Sequence, residues 1–94
     1  MAIMMIMRWE GVSLDQYDQA KEVVGWERDA PVGGVIRVTA HDGQALRITD
    51  VWESEEALNA FISERLMPGV AQLGIEDPPD VEVLPLHDQF TPGL

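Results

Sequence analysis

Between Leu46 and Leu58 the chain has few options: a strand must run directly into a helix. Leu46, Ile48, Asp50 and Trp52 alternate with Arg47, Thr49, Val51 and Glu53. That is the period-two pattern of a strand with two unlike faces. Ser54 is a natural N-cap, and the acids Glu55 and Glu56 behind it suit the positive end of a helix. One side of this strand therefore carries a carboxylate, Asp50, among large apolar groups. Such a surface must be covered, and a covered surface of that kind can form a pocket.

The rest of the chain supplies elements around this junction. Ala2 to Trp9 is a nearly continuous apolar run, as expected of a strand buried on both faces. Ser13 with Gln16 three residues later fits a capping box. Leu14, Tyr17, Ala20, Val23 and Val24 then make a helical stripe that Gly25 ends. Trp26 to Gly34 reads as a loop because of Pro31 and the Gly33-Gly34 pair. A second strand spans Val35 to about His41, Asp42-Gly43 reads as a two-residue hairpin turn, and the third strand spans Gln44 to Glu53. A second helix from about Glu55 to Leu66 buries Ala57, Leu58, Phe61, Ile62 and Leu66. Pro68-Gly69 interrupts it, with a short further turn through Val70, Ala71 and Leu73. The last strand is Val81 to about His87, and Pro85 within it marks a bulge or an edge position.

The order strand, helix, strand, strand, helix, strand is the split βαβ arrangement. The fold class is thus α+β: a ferredoxin-like, four-stranded antiparallel sheet with two helices on one face, in a single domain over residues 1–94. With Asp42-Gly43 as the whole turn, Thr39 pairs with Leu46 and Arg37 with Ile48. Arg37, Thr39 and His41 then share a face with Leu46, Ile48, Asp50 and Trp52. Ile36, Val38, Ala40, Thr49 and Val51 form the other, smaller and more uniformly apolar face. The helices are expected on that second face, and the mixed face is expected to meet its like in a second copy.

Composition excludes several partners. Seventeen acids against six bases leave a net charge of −11, so nucleic acid and anionic membrane surfaces are not expected partners. With no cysteine there is no disulfide and no thiolate metal site. The apolar start, Met1 to Met7, is too short to span a membrane and has neither the basic start nor the cleavage site of a signal peptide. The expected location is the cytoplasm. A chain of 94 residues buries only about 60–65% of its unfolded surface, so a pocket would draw walls from a second copy.

In length, strand order and the stretch Asp50-Val51-Trp52-Glu53-Ser54-Glu55-Glu56-Ala57-Leu58 with Phe61, the chain resembles the dimeric α+β barrel superfamily. Within it, the chain resembles the antibiotic-biosynthesis-monooxygenase-like domains. The segment from Val24 to Pro31 and the ending Pro85-Leu86-His87 look like a small bacterial branch. The resemblance implies a homodimer. It also implies a range of activities: cofactor-free oxygenation of polyketide aromatics, polyketide cyclisation, haem degradation, dehalogenation and isomerisation. Haem-degrading members use an Asn, Trp and His set. Here the first strand has no Asn, and Arg65-Leu66-Met67-Pro68 stands where the ligand His would be sought, so haem chemistry is not expected.

The candidate site residues follow from the mixed face. Asp50 is a candidate base if desolvation raises its pKa, or half of an ion pair with Arg37 or Arg8. Arg37 suits an enolate or other anionic oxygen. His41, beside the turn, and His87, near the chain end, are candidate proton carriers, or plain solvated residues. Trp52 and Ile48 would line the pocket, unless Trp52 is core or interface bulk; Trp26 would close over it or pack the loop down; Tyr17 would approach from the helix or simply pack against the sheet. Two distant histidines without a third ligand make no metal site, and neither metal nor cofactor is expected.

The leading expectation is an enzyme acting on an apolar, aromatic or polyketide-like molecule. It would work by proton abstraction and enolate chemistry, as a cofactor-independent monooxygenase, cyclase or isomerase. The alternative is a dimeric binding or accessory domain without catalysis. A cavity of about 300 Å3 or more with a titratable group at its wall would favour the enzyme. A face filled by Met5, Met7, Leu46 and Trp52 would favour the binding domain.

Overall fold

The computed structural model describes residues 1–93. Its elements are β1 (Ile3–Glu10), α1 (Leu14–Val24), β2 (Gly34–His41), β3 (Ala45–Trp52), α2 (Glu55–Phe61), a π-helical turn (Ile62–Leu66), α3 (Met67–Gln72) and β4 (Asp80–Pro85). The strands form one antiparallel sheet in the order β2-β3-β1-β4, the ferredoxin-like arrangement. Pro85 closes an edge strand, where a missing N–H leaves no gap in the ladder.

The local signals act as read. Ser13 and Gln16 form a reciprocal capping box. Gly25 ends α1 in the left-handed conformation at φ 76°. Ser54 Oγ accepts from the Ala57 N–H at 3.1 Å and starts α2. The second helical region differs from expectation. It runs on through Pro68 to Gln72 because the wide π turn before Pro68 absorbs the missing N–H and the ring. Gly69 is buried there against α1, and a Cβ would lie 2.5 Å from Val24 Cγ2.

The hairpin turn is one residue later than expected. Asp42 pairs with Ala45, so Gly43-Gln44 is the turn, and His41 faces Leu46, Thr39 faces Ile48 and Arg37 faces Asp50. Gly43 has φ 97° at the first central position, where a II′ turn requires glycine. Moving a two-residue turn by one residue changes every partner by two, so the grouping of residues by face survives. Val35 is bulged out of register between Gly34 and Ile36.

What the structure overturns is which face the helices cover. Ile3, Met5, Met7 and Trp9 of β1 join Leu46, Ile48 and Trp52 of β3. They pack with Ala20, Leu58, Phe61, Leu66 and Val70 from the helices into one core. The mixed face, with Asp50 and Trp52, is thus the helix-covered one, and neither residue is an interface with a second copy. The physical reason is that the polar groups on this face satisfy one another: no buried side-chain polar atom among the described residues lacks a partner. Once Arg37, Thr39 and Asp50 are paired, the bulkier side has more apolar area to bury. β1 accordingly alternates rather than being buried on both faces, with Met4, Ile6 and Arg8 half-buried.

Candidate functional site

Asp50 lies two residues before the end of β3, 1% exposed, and both of its oxygens are engaged. Arg37, directly opposite on β2, donates from Nε to Oδ1 at 2.8 Å and from Nη2 to Oδ2 at 2.7 Å. The indole Nε1 of Trp52, two residues along the same face, donates to Oδ2 at 3.1 Å. This is the planar, two-pronged recognition that Arg suits and Lys does not. Of the two readings of Asp50, the structure contains the ion pair, and its partner is Arg37. Arg8 pairs instead with Glu10 at 3.3 Å. Burial works against the Arg37 charge, but the hydrogen bond and charge of Asp50, with a smaller pull from Tyr17, hold its pKa above the ordinary guanidinium value.

Aromatic rings surround the guanidinium. Its central carbon is 4.9 Å from the ring centroid of Trp26 and 5.8 Å from that of Phe61. Trp52 and Phe61 lie 5.4 Å apart, as do Tyr17 and Trp26. Thr39 Oγ1 donates to Tyr17 Oη at 2.9 Å, tying α1 to the sheet. Beside this cluster is a cavity of about 200 Å3, open to solvent, walled by Trp26, Pro31, Arg37, Asp50, Trp52 and Phe61 among others. Trp26, Pro31 and Gly34 bring the Trp26–Gly34 loop to its wall. That loop is held by Arg65, whose Nη2 donates to the carbonyls of Val24 and Asp29 at 3.2 and 2.7 Å.

The site thus brings together Asp50, Arg37, Trp52 and Trp26, with Tyr17 behind Trp26. Ile48 is buried in the core and borders a space of about 20 Å3 next to Arg37 and Tyr17. The two histidines stand apart. His41 Nδ1 accepts from the Gly43 N–H at 3.0 Å, and its Nε2 lies 3.1 Å from the Val12 carbonyl oxygen. Those partners require the neutral Nε2–H tautomer and make His41 a brace between the hairpin and the β1–α1 loop. His87 is exposed, beyond the end of β4. Phe61 and Pro31, with Gly34, Val35, Ile36 and Val51, are wall residues that the sequence did not mark as site residues. Helical spacing from Leu58 placed Phe61 inward, but only as core. No three His, Asp or Glu side chains gather into a metal-binding group among the described residues, and no helix is long and apolar enough to cross a membrane.

No family model and no curated protein matches the chain. Solved structures do. A protein of unknown function from Nitrosomonas europaea superposes with a TM-score of 0.73 at 16% identity, over 98% of this chain and 95% of that one. A provisionally assigned antibiotic biosynthesis monooxygenase from Chloroflexus aurantiacus gives 0.65 at 18% identity, over 96% and 98%. SnoaB, a cofactor-independent oxygenase from Streptomyces nogalater, gives 0.70 at 9% identity, over 94% and 95%. At these identities the likeness is one of fold. The chain has the ferredoxin-like α+β fold of the antibiotic-biosynthesis-monooxygenase-like proteins.

Proposed function

We propose that the cavity binds a flat, hydroxylated aromatic molecule of one or two rings, with a ligand oxygen on the Arg37 guanidinium. The observation that carries this reading is a cation fixed in plane by Asp50 and framed by Trp26, Trp52 and Phe61 at the wall of an open cavity. Asp50 occupies Arg37 Nε and Nη2 and Tyr17 also acts on the guanidinium, so on this reading the incoming oxygen takes Nη1 in competition with Tyr17. The volume of about 200 Å3 lies below the roughly 300–1,000 Å3 of drug-sized pockets, which sets the small ring number.

Cofactor-free enolate chemistry follows from that placement. A phenol or enol oxygen beside a fixed cation ionises more readily, and the resulting anion is stabilised where its charge develops. The electron-rich ring carbon then cyclises, isomerises or reacts directly with dioxygen. Asp50 already accepts three hydrogen bonds. On this reading it positions Arg37, and the proton leaves to water at the open mouth. SnoaB, of the same fold, is described as a cofactor-independent oxygenase, which supports this class of reaction.

A non-catalytic binding domain is the second reading. It is favoured by the engaged Asp50, by a cavity of about 200 Å3 where the enzyme was expected to need about 300 Å3 or more, and by a core that Met5, Met7, Leu46 and Trp52 fill. The homodimer belongs to both readings, formed now by the outer sheet face.

Tryptophan fluorescence with naphthol and with naphthalene tests the site. Arg37→Met, shown to be folded by circular dichroism, should weaken naphthol binding by about tenfold or more and leave naphthalene unchanged; equal naphthol binding would remove Arg37 from the site. Oxygen uptake with a dihydroxynaphthalene, above the uncatalysed rate, separates enzyme from binding domain.

A further inference from the structure

We propose that Phe61 is the partition that limits the size of molecule this site admits. Without its ring, the site takes an oxygenated polycycle of three or four fused rings. The inference rests on the ligand site proposed above.

The cavity beside Arg37 ends at Phe61, and on the far side lies a second, open groove of about 300 Å3 between the loop and the helix. Among the described residues, Phe61 and Pro31 are the ones that belong to both walls. Ala57 and Ala60, on the same helix as Phe61, present only methyl groups to the groove. Pro31 has its φ fixed by its ring, and its carbonyl holds the Gly34 N–H at 3.1 Å. Phe61 is anchored by no polar bond. It is the last residue of α2, at the entry to the π turn, where the hydrogen-bond ladder changes pitch.

Each space alone sits at or below the lower end of the range for drug-sized ligands, and joined they fall inside it. The far end is also chemically equipped. The Arg65 guanidinium lies 5.6 Å from the Phe61 centroid, as Arg37 does at 5.8 Å, and stands 4.0 Å from the Asp29 carboxylate. Its Nη2 holds the loop carbonyls, while its Nε and Nη1 make no hydrogen bond among the described residues. A polycycle lying across the position of the Phe61 ring would carry oxygens to both arginines.

The test is a set of dissociation constants for naphthol, hydroxyanthracene and hydroxypyrene, on the wild type, Phe61→Ala and Phe61→Leu. Far-ultraviolet circular dichroism establishes that each variant is folded, and Phe61→Leu serves if Phe61→Ala is not. The variants should bind hydroxypyrene about tenfold or more tighter than the wild type does, the scale of size discrimination by an apolar pocket. Because Phe61 also frames the naphthol site, the readout is the ratio of hydroxypyrene to naphthol affinity within each protein, which should rise about tenfold or more in the variants. A folded Phe61→Leu with no gain for the larger rings overturns the proposal, as does a wild type that binds hydroxypyrene as tightly as naphthol. Arg37→Met separates the two readings. Naphthol binding that needs Arg37, with no gain from Phe61→Leu, removes the partition alone. A gain for large rings with no dependence on Arg37 removes the oxygen site and leaves the partition standing.

Discussion

Asp50 and Arg37 are each expensive to bury alone and tolerable together. The Arg37 side chain is 16% exposed and that of Asp50 2%, so water screens the pair little. Removing one partner leaves an uncompensated buried charge, which costs about 3–5 kcal/mol, whereas replacing both by apolar groups is often neutral or stabilising. Arg37→Met should therefore lower the stability of the fold by that amount in chemical denaturation. The double variant Arg37→Met with Asp50→Leu should recover most of the loss without recovering naphthol binding. Recovery of neither would mean that the hydrogen bond from Trp52 to Asp50 contributes more than the ion pair. The sequence allowed both fates for Asp50, because desolvation and a neighbouring cation act on a carboxylate in opposite directions. Only the cross-strand register, which sets Arg37 opposite Asp50, decides between them.

At the scale of elements, short-range chemistry chose the turns and caps. The β2–β3 hairpin is closed by Asp42, whose Oδ1 accepts from the N–H groups of Gln44 and Ala45 at 2.8 Å each and whose Oδ2 meets Arg47 Nη1 at 3.2 Å. The two backbone hydrogen bonds, chiefly, lower its pKa from 3.8 to about 2. A carboxyl depressed on folding stabilises the fold above its unfolded pKa, and the contribution is lost as the pH falls through the folded value. Asp42→Ala should thus flatten the fall in stability between about pH 4 and pH 2, and should change the slope little above pH 5. An acid denaturation series on both proteins checks this, and parallel curves would show the turn to be held by Gly43 alone. The one-residue error in the turn had a local cause: Asp-Gly is itself a strong turn signal, but here Asp42 serves as the last paired residue and its side chain caps the turn. The π turn was illegible for a different reason. Pro68 announces that an α-helix cannot continue unchanged, and does not say whether it stops or widens.

Across the whole molecule, one sheet face remains uncovered. Its rows run Ile36, Val51, Met4, Leu84, then Val38, Thr49, Ile6, Glu82, then Ala40, Arg47, Arg8, Asp80. Val38, in the middle row on the edge strand β2, is 57% exposed. The homodimer proposed above would use this face, since apolar patches of this kind mark interaction sites. In sedimentation velocity, Val38→Asp should shift a dimer to monomer by placing a charge in the contact, while Asp50→Asn, on the other face, should leave the state unchanged. A Val38→Asp protein that stays dimeric would move the interface elsewhere. What the sequence determined by itself was everything that depends on neighbours along the chain: element order, caps, the glycine stops, and which residues share a strand face. These follow from periods of 2 and 3.6 and from backbone preferences that act within a few residues. Only the tertiary structure decided which face the helices would cover. Both faces are apolar enough to be buried, and the choice turns on whether Arg37, Asp50, Thr39 and Tyr17 find one another across the sheet and helix. That pairing is a long-range fact, and no local pattern encodes it.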